Sequence, residues 1–178
     1  ILLILQLISV NLKETAMAKA GVIELETNYN HVKIFSDPLR LGPKPVLILD
    51  LGKADHSGMY LESDELVFEY TKFYRLAKHF KPDTKDALAI GGGAYSYPKD
   101  FLKQFPEANL DVVELDPGLT KLAKKYFRLK ENDRLNIYHE DGRTFINRNS
   151  KKYDVIFGDA FRSFYSIPYQ LTTLEAVQ

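Results

Sequence analysis

Cysteine is absent from all 178 residues. Disulfides and thiolate metal centres are therefore excluded, and the composition fits a reducing compartment. Net charge is missing as well, since 24 Lys and Arg offset 24 Asp and Glu. No basic cluster with interleaved aromatics occurs, so a nucleic-acid surface is not expected. The four histidines, His31, His56, His79 and His139, lack the spacing of metal ligands. Each reads as an ordinary surface or strand residue, and no metal is expected. Long apolar runs are scarce too. The run at residues 1–10 is about half the roughly 20 residues that a bilayer requires, and no basic region precedes it as in a signal peptide. It reads either as a core helix or as the end of a membrane-spanning helix. The matching expectation for location is cytoplasmic, with tethering to a membrane through a preceding region under the second reading.

What the chain does contain is ample apolar material, 45% of residues, enough for a real core. Three parts are expected: an apolar segment at 1–20, a small antiparallel β unit at 21–62, and a Rossmann-like unit at 63–178. In the β unit, strand-like runs occupy 22–26, 31–35 and 45–51, while the polar stretch 52–62 reads as loop. After Ser63, a plausible N-cap, the apolar period becomes helical and stays so to Phe80, ahead of Pro82. The aromatic stripe of this helix reads as core. From Asp86 the pattern alternates, with strands at 87–90, 110–115, 135–139 and 153–157 and helices at 98–105, 117–127 and 143–149. Such alternation predicts an α/β fold with a doubly wound, mostly parallel sheet. Residues 171–178 read as a helix without a stop signal, so the sheet is expected to continue past Gln178.

Chemistry-bearing residues recur at the ends of these strands. Gly91, Gly92 and Gly93 follow the first, Glu114 and Asp116 the second, Glu140 and Asp141 the third, and Asp159 the fourth. Parallel sheets bind ligands beyond their carboxyl ends. Glycines allow close approach to backbone, and an acidic tip about twenty residues later can accept from ribose hydroxyls. A nucleoside site is expected here. The plainer alternatives are a tight turn that binds nothing and, for Asp116 and Asp141, helix N-caps. Several carboxylates on one sheet edge repel one another unless something binds there. A dinucleotide-binding dehydrogenase is disfavoured, because Ser96 stands where the third glycine of GxGxxG would be.

In this order, Leu49-Asp50, Asp64-Glu65, the triple glycine, Val113-Glu-Leu-Asp-Pro117, Asp141-Gly-Arg143, the run from Tyr153 to Phe161 and Ile167-Pro-Tyr-Gln-Leu-Thr172 resemble the spermidine synthase (polyamine aminopropyltransferase) family. The likeness is closest to its divergent spermidine synthase-like domains and extends from about Val22 to the end. It implies an N-terminal β unit followed by a class I methyltransferase-like sheet. It also implies a sulfonium nucleoside as co-substrate, either decarboxylated S-adenosylmethionine or S-adenosylmethionine, and a small-molecule amine or other small acceptor. Gly91, Gly92 and Gly93 would pass the aminopropyl part, Glu114 would bind the ribose, and Asp141 the adenine amino group with Glu140 beside it. Asp116 would belong to the same nucleoside wall, and Asp159 would take a proton from the attacking amine. Asp55, Tyr70, Tyr95 and Arg162 are the expected acceptor-side residues. Several positions depart from the family pattern, Phe68-Glu-Tyr70 in place of Tyr-His-Glu and Ala54-Asp55 near its Gln among them. Ala94 and Tyr95 replace an Asp-Gly pair, which removes a carboxylate, and Arg162 replaces a second Asp. Family members often dimerise, so a homodimer is a further expectation. Aminopropyl transfer is the first reading. The alternatives are methyl transfer to a small molecule and a non-catalytic nucleoside-binding domain of a membrane-linked protein.

Overall fold

The computed structural model describes residues 21–37, 44–52, 55–161 and 167–177. The readings for residues 1–20, for Arg162 and for the Asp55 side chain lie outside the described residues. No helix among the described residues is long and apolar enough to cross a membrane.

The first sheet is an antiparallel meander of β1 (Ile23–Glu26), β2 (His31–Asp37), β3 (Val46–Asp50) and β4 (Asp55–Tyr60), paired in that order. Alternation drives the first three strands. In β2, Val32 and Ile34 are buried while their neighbours are partly exposed, as period-2 patterning requires. The fourth strand is a correction, because the stretch 52–62 lacks alternating apolar residues and reads as loop. Its backbone nevertheless pairs with β3 from Val46↔Tyr60 to Leu49↔Ser57, with a register shift at Leu49/Asp50. Pairing to a preformed neighbour overrides weak strand propensity.

The helix expected from Ser63 onward is also revised. Leu66 forms a bridge with Met59 instead, and helix begins only at α1 (Glu69–Phe73). A 3₁₀ turn, Tyr74–Leu76, separates it from α2 (Ala77–Phe80). The aromatic stripe is only partly core: Phe73 is 67% exposed and Phe80 76%, whereas Tyr74 packs against the main core.

The second sheet is parallel, in the order β7-β6-β5-β8, built from β5 (Asp86–Ile90), β6 (Asn109–Val113), β7 (Leu135–Tyr138) and β8 (Val155–Gly158). Between them run α3 (Ser96–Gln104), α4 (Pro117–Tyr126) and α5 (Gly142–Arg148). A 3₁₀ turn, Tyr169–Leu171, and α6 (Leu174–Val177) follow. Both faces of the central strands β5 and β6 are covered, as in all-parallel sheets. Ala87, Ala89, Leu110 and Val112 pack with Phe101 and Phe105 of α3 and Ala123 of α4. Leu88, Ile90 and Val113 pack with Phe145 of α5 on the other face. This is the doubly wound α/β arrangement that the alternation predicts. The two sheets share a core in which Val32, Ile34, Leu49 and Met59 meet Ala94, Leu119, Leu122 and Phe127. The first sheet is thereby set over the carboxyl edge of the second.

Candidate active site

Beyond Ile90 the chain must turn sharply under β8. Gly91 does this with φ +101°, and a Cβ there would lie 2.5 Å from the backbone oxygen of Asp159. The turn closes when Tyr95 N donates to Gly92 O at 2.7 Å. The glycines therefore leave room for protein atoms: a Cβ on Gly92 would strike the Tyr95 ring, and one on Gly93 the Ser57 hydroxyl. Close internal packing is thus sufficient reason for all three, alongside any approach by a ligand.

Glu114, at the tip of β6, is 7% exposed. Its Oε2 accepts from the backbone N–H of Gly92 (2.8 Å) and of Gly93 (3.0 Å), and its Oε1 from that of Asp116 (2.9 Å). A carboxylate offers about four lone-pair positions, so one on Oε1 remains open. Asp116 caps α4 by accepting from Gly118 N at 2.8 Å, and it also accepts from the Thr27 hydroxyl and from Asn30 Nδ2 (2.7 Å). At 1% exposure it ties the β1–β2 turn to the second sheet. Asp141 caps α5, and both Thr144 N and the Thr144 hydroxyl donate to its Oδ1. Glu140 pairs with Arg148. The repulsion expected among these tip carboxylates is thus answered by local donors, without a ligand.

Asp159, just past β8, continues the ladder by donating its N–H to Ile90 O at 2.8 Å. Its side chain faces the helical segment, where Tyr74 Oη donates to Oδ1 at 3.1 Å. Burial pushes its carboxyl up to about 6, against the downward pull of the Tyr74 and Tyr70 hydroxyls. Those two phenols are in turn pushed up, first by burial and then by the Asp159 charge.

These groups surround one cleft of about 800 Å³ between the two sheets, within the range of small-molecule sites. Gly91, Gly93, Glu114, Asp116, Glu140, Asp141, Tyr70 and Asp159 all line it. Gly92, which packs on the Tyr95 ring, does not, and neither does Tyr95. Tyr95 is fully buried in the left-handed conformation (φ 58°), with its hydroxyl 2.7 Å from that of Thr120. The expected acceptor-side role of Tyr95 is therefore corrected: its side chain points under the glycine turn, into the core. Ala94 is likewise fully buried. Its N–H donates to the Ser57 hydroxyl at 3.1 Å.

Three contributions escape sequence reasoning. Tyr29, Asn30 and His31 reach the cleft from the β1–β2 turn, and Ser57 from β4. His31 is held between Glu26 (2.5 Å) and Glu24 (2.6 Å), which raise its pKa. Tyr74 reaches Asp159 from what reads as a core stripe. Its signal was the spacing Tyr70/Tyr74, which places two phenols on one helical face.

Such a fold, a parallel sheet with a glycine turn after its first strand, an acidic second-strand tip and a cleft over the carboxyl edge, defines a class I methyltransferase-like unit. The spermine/spermidine synthase domain matches residues 68–168, more than half of the chain, and the chain belongs to that family. It is 32% identical over 117 residues to the polyamine aminopropyltransferase of Vibrio vulnificus strain CMCP6, covering 64% of this chain and 39% of that protein. It is 30% identical over 168 residues to a probable polyamine aminopropyl transferase of Bifidobacterium longum strain NCC 2705, covering 91% and 34%. The chain thus spans little more than a third of the length of these relatives. Among solved structures, a probable spermidine synthase from Corynebacterium glutamicum ATCC 13032 superposes with a TM-score of 0.75 at 23% identity, over 86% of this chain and 57% of that one. A spermidine synthase in complex with the transition-state analogue AdoDATO gives 0.65 at 25% identity, over 85% and 50%.

Proposed function

We propose that the protein transfers an aminopropyl group from decarboxylated S-adenosylmethionine to a small amine. The observation that carries this reading is the placement of Asp159. An aspartate whose backbone abuts the glycine turn puts a partly buried carboxylate on the same cleft as Glu114, in a chain of the spermidine synthase family.

The residues fit the co-substrate. Glu114 has one lone-pair position open on Oε1 for a ribose hydroxyl while its other bonds hold the glycine turn. Taking both hydroxyls would require it to release an N–H, so binding of the donor loosens or reshapes the turn. Asp141 keeps Oδ2 for an adenine amino group, since Thr144 occupies Oδ1. The aminopropyl chain then runs along Gly91 towards Asp159.

The chemistry follows from that placement. The amine lone pair attacks the carbon bonded to the sulfonium, and the C–S electrons pass to sulfur, which leaves as a neutral thioether. The proton lost by the nitrogen goes to Asp159. A base is useful because a protonated amine is no nucleophile, and a carboxylate whose pKa lies near 6 is a better proton acceptor than an ordinary one. Alignment of nitrogen, carbon and sulfur supplies the rest.

The test incubates the full protein with decarboxylated S-adenosylmethionine and a panel of small amines. Mass spectrometry follows methylthioadenosine and the extended amine. Their joint appearance supports the proposal. Methyl transfer from intact S-adenosylmethionine, or no transfer from either donor, would refute it.

A further inference from the structure

Residues 69–80 carry the composition of one continuous helix, yet the helix breaks at Tyr74–Leu76 into a 3₁₀ turn. Interruptions of this kind often mark functional positions. Here three contacts hold the break. Arg75 forms a two-pronged fork on Asp100 of α3, with Nε at 2.9 Å and Nη2 at 2.6 Å. Asp100 is almost fully buried, and a fork of this geometry is the arrangement that fixes an arginine best. Tyr97 donates its hydroxyl to the Tyr74 carbonyl at 3.3 Å. The Tyr74 ring is wedged edge-on against Tyr97 (4.9 Å between centroids) and tilted against Phe157 (5.6 Å). A ring fixed on two sides and at its backbone has one place to put its hydroxyl, which is 3.1 Å from Asp159 Oδ1.

We propose that Tyr74 is the positioning residue for Asp159, holding Oδ1 so that the carboxylate meets the incoming amine as an anion and in a single orientation. The identity of that amine rests on the aminopropyl-transfer reading. The pairing does not.

Among the described residues, the titratable groups that face the Asp159 carboxylate are Tyr74 and Tyr70, both from the helical segment. The glycine turn meets Asp159 with backbone, through Gly91, and β5 with the Ile90 carbonyl. The Tyr74 hydroxyl occupies one of the carboxylate's four lone-pair positions, leaving the others to receive a proton. Both phenols are donors that favour the charged form, against burial that disfavours it. Loss of one donor therefore raises the pH at which Asp159 becomes a competent base. A ring that served packing alone would leave that pH unmoved.

The decisive measurement is a carbon-detected NMR titration of the full protein labelled at aspartate side-chain carboxyls, with Asp159→Asn assigning the resonance. Tyr74→Phe keeps the ring against Tyr97 and Phe157 and removes only the hydroxyl. Its expected effect is an upward displacement of the Asp159 midpoint by about one pH unit. In the transfer assay, kcat should fall about twofold at pH 7 and about fivefold at pH 6, while the KM for the nucleoside, set at Glu114, stays constant. Tyr70→Phe should move the same midpoint independently. An unmoved midpoint in folded Tyr74→Phe overturns the proposal. A shifted midpoint in a protein that transfers nothing supports the pairing and counts against the aminopropyl reaction alone.

Discussion

Gly92 donates its backbone N–H to Glu114 Oε2 across 2.8 Å, joining the turn after β5 to the tip of β6. The two residues are 22 positions apart, the spacing of the acidic tip in nucleoside-binding folds. The acidic tip and the glycine turn are thus one bonded unit, and under the proposed function Glu114 would act both as keystone of the loop and as acceptor for the ligand.

That double role gives the first prediction. Glu114→Gln removes a charged acceptor for backbone N–H groups and for ribose. Nucleoside affinity should fall by about 1–3 kcal/mol, with thermal stability falling too. Calorimetry and a melting curve read the two effects separately. Unchanged affinity would remove Glu114 from the site.

The second prediction concerns Gly91. Alanine there would combine a φ of +101° with a Cβ 2.5 Å from the Asp159 carbonyl oxygen. Strain and overpacking each cost about 1–3 kcal/mol. The variant should lose at least about 2 kcal/mol in chemical denaturation and lose transfer through displacement of Asp159. A denaturation midpoint equal to that of the wild type would show that the turn is not packed as described.

Much of this was legible in the sequence, and the reasons are physical. The strands β5 and β6 are near-continuous apolar runs because both faces are covered, and their glycine and acidic ends announce the cleft. Asp116 and Asp141 could be read as caps from the helix-like sequence after them. Other features depend on partners remote in the chain. β4 forms through backbone pairing rather than through its own side chains. The helical break follows from Arg75 and Asp100, 25 positions apart. Asp159 and Tyr74 are 85 positions apart, so no local pattern links them. Tyr95 was misplaced because its left-handed backbone turns the side chain inward, a conformation uncommon for residues other than glycine.

The correction at Tyr95 yields the third prediction. Tyr95→Phe breaks the hydroxyl pair with Thr120, a loss of about 1 kcal/mol in stability. Acceptor preference and the KM for the amine should stay as in the wild type. A changed acceptor preference in a stable Tyr95→Phe protein would return this residue to the site.

The fourth concerns pH. The folded-state pKa of Asp159 is raised from 3.8 to about 6, so the folded protein binds that proton more tightly than the unfolded chain. Its favourable contribution is complete below pH about 4 and is lost as pH rises through about 6. At pH 7 the ionised side chain therefore weakens the fold. Asp159→Asn should abolish transfer yet raise stability at pH 7 by about 1–3 kcal/mol, with the gain disappearing towards pH 4. Denaturant titrations at the two pH values check the sign. A variant less stable than the wild type at pH 7 would contradict it.

The central claim is that the cleft binds a sulfonium nucleoside with its reactive arm towards Asp159. Calorimetry of the full protein with decarboxylated S-adenosylmethionine, intact S-adenosylmethionine and methylthioadenosine tests it most directly. The extra carboxylate of the intact compound would face Asp159, and repulsion at that range is worth a factor of roughly ten or more. All three should bind, with the decarboxylated compound at least about tenfold tighter than the intact one. Tighter binding of the intact compound, or no binding of any of the three, would contradict it.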